Sequence, residues 1–236
     1  MKFQAICVLA LAAAGAPAFA ADDLDNLGSL TQSEFSGLSK DFLAASSYKA
    51  VAPAEPLGVT GFDIGVELSS TKMDHGAVWE KAGADSANLY MPKVHIHKGL
   101  PFNIDIGASL TAVPGSDIKV GGAEIKYALI EGGTATPAVS VRGAVTRLFG
   151  VNQLDADTRS LELTVSKGFL NMTPYGGVGK VWGTLTPHAG SLTKESPSAT
   201  KLFAGLNFSL GFGNLAAEVD QTGDSKSVSV KLGFRL

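Results

Sequence analysis

The chain has 236 residues, a formal net charge of −3, 17% charged residues and 28 glycines. A slightly acidic balance with no basic run argues against a nucleic-acid partner. After the leader, no stretch reaches the roughly 18 consecutive apolar residues that a membrane-spanning helix needs, so a helical membrane protein is excluded.

Met1-Lys2 forms a short positive start, Ile6 to Gly15 an apolar stretch, and Ala18-Phe19-Ala20 a small-x-small cleavage site. These are the three parts of an export signal, with cleavage expected before Ala21. The single cysteine, Cys7, lies inside this signal. The mature chain then has no disulfide, thiolate metal site or Cys nucleophile. Residues 1–20 are thus read as signal peptide, 21–56 as a periplasmic helix and linker acting as a possible plug, and 57–236 as the main domain.

Thr31 followed by Glu34 is a capping box. Phe35, Leu38 and Phe42 then share one helical face, so a helix is expected from Gln32 to Ser46. Its apolar face has three destinations open to it: inside the main domain as a plug, at its periplasmic mouth, or on a partner. Ala50 to Pro56 is rich in Ala and Pro and reads as an extended linker.

From Val59 onward the chain alternates apolar and polar residues in segments of about ten, the length of a tilted membrane strand. The segments are Val59–Ser69, Leu89–His97, Phe102–Ala112, Ile118–Ile130, Pro137–Arg147, Thr158–Lys167, Thr173–Thr184, Lys201–Phe212, Asn214–Asp220 and Ser225–Leu236. The phase slips at Gly121-Gly122, which suggests a bulge there. The seventh segment is ambiguous, because Tyr175 and Val181 fall on one face and Val178 and Trp182 on the other. Connections alternate in length: Thr71–Asn88, Leu148–Asp157 and Leu185–Thr200 are long, whereas Lys98–Pro101, Gly168–Met172 and Gly213 are short. The expected fold is all-β: a transmembrane antiparallel up-and-down β-barrel of about ten strands, with eight or twelve open, and a short N-terminal helix.

The terminal stretch, SKSVSVKLGFRL, sets Val228, Val230, Leu232, Phe234 and Leu236 against Ser229, Lys231, Gly233 and Arg235. It resembles the C-terminal strand by which bacterial outer-membrane barrels are recognised for assembly. It departs from that pattern in ending on Leu236, with Phe234 two residues earlier. The chain as a whole resembles small outer-membrane β-barrel proteins of Gram-negative bacteria. The resemblance implies outer-membrane lipid and, through Ser225–Leu236, the barrel-assembly machinery as partners.

The polar row carries most of the charge and is expected to face the lumen: Asp63, Glu67, Lys93, His95, His97, Asp105, Glu124, Lys126, Arg142, Glu162, Lys231 and Arg235. Antiparallel closure of first strand on last would set Asp63 and Glu67 against Lys231 and Arg235. Asp105 would face His95 or Lys93 across the tight turn. His95 and His97 share one strand face and with Asp105 have a metal-ligand pattern, but no third partner is fixed, so no metal or cofactor is assigned. Asp74-His75 has the pattern of an acid-oriented base and is similar to the Asp/His pairing of omptin proteases, also ten-stranded. A second pair of carboxylates near a histidine is not evident, and His188 shows no nearby carboxylate. Gly176-Gly177-Val178-Gly179 lacks the Lys-Ser/Thr and the helix of a phosphate loop. The leading expectation is a non-enzymatic barrel that passes or binds a small, possibly apolar solute. The alternatives are a structural or adhesive surface protein acting through its loops, and an outer-membrane hydrolase or lipid-modifying enzyme using His75 or His188.

Overall fold

A computed structural model describes residues 24–84, 88–113 and 116–236. The leader and its cleavage site lie outside the described residues. Ten antiparallel strands close into a barrel: β1 (Phe62–Lys72), β2 (Asn88–Leu100), β3 (Ile104–Ala112), β4 (Lys119–Ile130), β5 (Ala138–Phe149), β6 (Leu154–Ser166), β7 (Met172–Pro187), β8 (Ser198–Leu210), β9 (Gly213–Thr222) and β10 (Ser225–Arg235). Each strand pairs with its chain neighbours, and β1 pairs with β10 from Asp63↔Arg235 to Lys72↔Lys226. Closure leaves no strand edge unpaired.

The usual burial pattern is inverted. Lys231 is 0% exposed, while its neighbour Leu232 is 43% exposed. Val94, Ile96, Leu110, Ile125, Val145, Leu161, Val219 and Val230 all point outward in the same way. A barrel with apolar residues outside and charges inside is built for lipid, because the strands bond to one another and no backbone group needs water. Tyr175 and Val181 point inward on β7, and Val178 and Trp182 outward. This resolves the ambiguous seventh segment.

The expected bulge at Gly121-Gly122 is absent. Both residues pair in register with β3 and β5, and the irregularity falls instead at Ala128/Ile130. Glycine has no apolar side chain to mark a face, so the hydrophobic pattern faded there without the backbone changing phase.

Two helices sit at one end. α1 (Gln32–Ser46) begins at the expected capping box: the Thr31 hydroxyl accepts from the Glu34 amide, and Glu34 accepts from the Thr31 amide. α2 (Gly76–Ala82) lies in the β1–β2 connection, within a stretch that the alternation reads as a long loop. Phe35, Leu38 and Phe42 are buried with Leu27, Met73, Trp79, Leu148, Leu154 and Leu185. Full burial of each such side chain is worth about 1.5–3 kcal/mol. This apolar cap closes the long-loop mouth, so the helix's apolar face is buried at the mouth opposite the short turns. The reason lies in residues 47–57. They run down the lumen with a left-handed kink at Val51 and bends at Ala54 and Glu55, and the chain then turns at Gly58 and Gly61 into β1 at the short-turn end. Eleven residues span at most about 36–40 Å when fully extended, which leaves slack for these bends in crossing a hydrocarbon core of ~30 Å.

Two outcomes follow from this path. An epitope placed ahead of Leu24 will become accessible from the same side of the membrane as one in the loop at Ser191; access from opposite sides would refute the threading. The Glu34 carboxyl is held down at about 2 by hydrogen bonds from the Lys81 ammonium and the Thr31 amide and hydroxyl. A depressed carboxyl stabilises above its ordinary pKa and loses that contribution as pH falls. Amide protection in the first turn of α1, measured relative to the intrinsic exchange rate at each pH, will therefore fall between about pH 4.5 and pH 2, and Glu34→Gln will abolish the step.

Candidate functional site: a charged lumen threaded by the N-terminal segment

Period-two alternation turns every second strand residue inward. All twelve charged or imidazole residues expected in the lumen point there. Eleven lie within the closed interior, and Arg235 is partly exposed at its rim. Asp63 is the hub of the seam. It accepts from Lys231 at 3.2 Å, Arg235 Nη2 at 2.7 Å and Asn214 at 3.1 Å. Glu67 lies opposite Lys231 across the seam, yet its ion-pair partner is Lys93 at 2.8 Å. Asp105 faces neither His95 nor Lys93. The β2–β3 turn sets Leu100 opposite Ile104, which puts Asp105 beside Gly99, and its carboxylate pairs with Lys126 at 2.9 Å. Arg142 bridges Glu124 at 2.9 Å and Glu162 at 3.2 Å, and Glu162 also takes Lys201 at 2.8 Å.

Three lumenal charges escaped the sequence reading: Lys201, Glu218 and Asp220. The signal was present in the alternation, since Lys201 precedes Leu202 and Glu218 sits between Ala217 and Val219. With them the wall carries seven carboxylates (Asp63, Glu67, Asp105, Glu124, Glu162, Glu218 and Asp220). It carries six fixed cations (Lys93, Lys126, Arg142, Lys201, Lys231 and Arg235).

The threaded segment supplies the seventh cation. Lys49 is buried with its ammonium 3.5 Å from Asp220, and it donates to the Ala44 carbonyl and the Ser47 hydroxyl. The wall holds the segment mostly by its backbone. Lys201 donates to the Tyr48 carbonyl, Lys93 to that of Lys49, and Lys126 to those of Pro53 and Glu55. The Ala54 amide donates to Ser166 and the Leu57 amide to Asp105. Residual cavities around the segment are small. One of about 20 Å³ lies near Tyr48 and another of about 10 Å³ near Asp105, room for about one water each.

Glycines make room for the rings. A Cβ on Gly65 would lie 2.9 Å from the His95 ring, on Gly107 2.1 Å from that of His97, and on Gly122 2.9 Å from that of Tyr48. The Tyr48 hydroxyl is 3.2 Å from His97 Nε2. Asp63, rather than Asp105, is the carboxylate that meets the two imidazoles, with the three donor atoms within 4.8 Å. That carboxylate already carries Lys231 and Arg235, two cations that a metal ion would have to displace.

At the long-loop mouth the partner of His75 is Asp41, not Asp74. Asp41 Oδ1 lies 3.2 Å from His75 Nδ1, and the same carboxylate accepts from the amides of Asp74 and His75, the Trp79 indole and the Ser225 hydroxyl. This buried carboxylate ties α1 to the β1–β2 loop and to β10. His188, expected to lack a carboxylate, pairs with Asp155 at 2.9 Å on the exposed rim. Among the described residues no Ser or Thr hydroxyl is hydrogen-bonded to either histidine.

No family model and no curated protein matches the chain. Solved structures with a similar fold include a loop-deletion form of OmpT, an outer membrane protein of Vibrio cholerae, at TM-score 0.34 and 11% identity. That match covers 64% of this chain, and the chain spans about 55% of the length of that protein. The KdgM porin matches at TM-score 0.38 and 8% identity over 73% of this chain and 98% of that one. The N-terminal β-barrel domain of Pseudomonas aeruginosa OprF matches at 0.35 and 12%, over 76% and 99%.

The seam hub gives a graded test. Asp63→Asn leaves Lys231 buried, and Arg235 at the rim, without their shared counter-charge and will cost about 3–5 kcal/mol. Lys81→Ala breaks only the exposed pair with Glu34 and will cost less than about 1 kcal/mol. The urea midpoint for loss of heat-modifiable gel mobility reads both.

Proposed function

We propose that the protein is a non-enzymatic outer-membrane barrel that serves as a gated conduit for small polar solutes, closed by its own N-terminal segment. The observation that carries this reading is how the segment is held. Side chains of the wall grip backbone carbonyls and amides, bonds that water can replace when the segment moves. The side chains of Ala50, Val51, Ala52 and Ala54 are small and apolar, and none wedges the chain in place.

The closed form also stores strain. Val51 is fully buried at φ +45°, left-handed backbone that a β-branched residue rarely adopts. Such a residue costs about 1–3 kcal/mol, and strain of this kind concentrates at switch points. With the segment withdrawn, the wall would present one more carboxylate than cation, favouring small cations. A polar, charged lining of this kind favours a polar solute over an apolar one. A second reading, a permanently closed surface scaffold, draws on the apolar cap that Asp41 ties across the long-loop mouth.

Planar-bilayer recording separates the two. The mature chain lacks cysteine, so Ala54→Cys with Ser166→Cys places a single lock on the segment where amide and hydroxyl are 3.0 Å apart. The wild type will show brief openings, Lys49→Ala more of them, and Val51→Gly fewer, because glycine relieves the strain. The oxidised double variant will be silent until reduced. Silence of the wild type and Lys49→Ala alike would refute the conduit and favour the scaffold.

A further inference from the structure

We propose that the outer face of β4, β5 and β6 near the long-loop rim binds a phosphorylated lipid of the leaflet it faces. This rests on the barrel spanning a bilayer.

A groove of about 420 Å³ opens there on the outside of the barrel. Its floor is Gly121, which points outward with no side chain, and the Phe149 ring lies over it, 2.9 Å from where a Cβ would stand. Ala123 and Val145 continue an apolar bed suited to an acyl chain. Two guanidinium groups border this bed. Arg147 stands opposite Gly121 on one side and Asp157 on the other, and Arg159 stands between Val145 and Trp182. Both arginines are exposed, and among the described residues neither has a carboxylate within 4.0 Å, Asp157 included. Together with Asp157 they leave the groove one net positive charge.

Arginine on a lipid-facing surface is costly unless it sits near the interface and finds an anion. Arg147 lies two residues from the end of β5, and Trp182, 44% exposed, marks the interfacial level beside Arg159. The guanidinium fork matches phosphate oxygens bidentately, whereas a lysine offers only a point charge.

The barrel carries its own comparison. A second groove of about 450 Å³, between β8, β9 and β10 at the same rim, is equally apolar, with Leu202, Ala204, Val219 and Val228. Its only outward-facing cation is Lys226. Volume and apolarity are matched, and the arginine pair is the difference.

The test uses the full mature protein in phosphatidylcholine nanodiscs doped with a doubly phosphorylated, acylated disaccharide lipid or with its dephosphorylated form. Lipid retained after detergent extraction is counted by native mass spectrometry. Wild type and Lys226→Ala are expected to retain the phosphorylated lipid alike. Arg147→Ala with Arg159→Ala will lower retention about tenfold, equivalent to ~1.4 kcal/mol. Equal retention by wild type and the double variant, or equal retention of the dephosphorylated lipid, overturns the site. Heat-modifiable mobility is measured on the same samples. A protein that fails to insert overturns the membrane reading instead, so the two failures are told apart.

Discussion

Everything in this barrel depends on filling a charged lumen without leaving any charge alone. Ten strands enclose more space than their own side chains fill. The interior of a membrane barrel is also a place where an unpaired ion costs several kcal/mol. The wall solves most of this by itself, through Asp63 at the seam and the Glu124–Arg142–Glu162–Lys201 chain across β4, β5, β6 and β8. It does not solve all of it, because Asp220 and Glu218 have fewer wall cations than carboxylates around them. Lys49 of the threaded segment completes the balance. The segment is therefore part of the interior rather than an appendage resting on it.

The architecture was readable because a barrel wall writes its fold directly into sequence. Each strand has an apolar face and a polar face with period two, and the connections alternate long and short. The seam pairing of Asp63 with Lys231 and Arg235 needed only the assumption that the first strand meets the last. Three things were not legible, each for a physical reason. Asp105 misses His95 and Lys93 because the turn at Pro101–Asn103 sets it opposite Gly99, and it meets Lys126 through the β3–β4 register; one turn residue more or less changes every opposite partner. The β1–β2 connection hides a seven-residue helix, too short for periodicity to announce. The destination of Ala50–Pro56 was hidden because a chain held by its backbone leaves no pattern in its side chains.

The two ends of the barrel differ in kind. The long-loop mouth is sealed by an apolar core of the sort found in water-soluble proteins, with α1, α2 and the upper strands packed around Phe35 and Trp79. Among the described residues the short-turn mouth has no such cap. It is ringed by outward aromatic side chains, among them Phe102, Phe169 and the stacked pair Phe212 and Phe234 at 5.9 Å. Aromatic rings favour the membrane–water boundary. One rim is thus shaped by tertiary packing and the other by the bilayer.

The threaded path also constrains the order in which the molecule is built. α1 with its side chains is about 10–12 Å across, whereas the cavities near Tyr48 and Asp105 beside the segment hold about one water each. The helix cannot pass through a closed barrel in folded form. Either β10 zips onto β1 around a chain already lying inside, or the N-terminal segment passes through unfolded and coils only on reaching the far mouth. In the first route the β1–β10 seam closes last; in the second α1 forms last, and the bonds of its Asp41 to the His75 amide and the Ser225 hydroxyl mark the end of the journey.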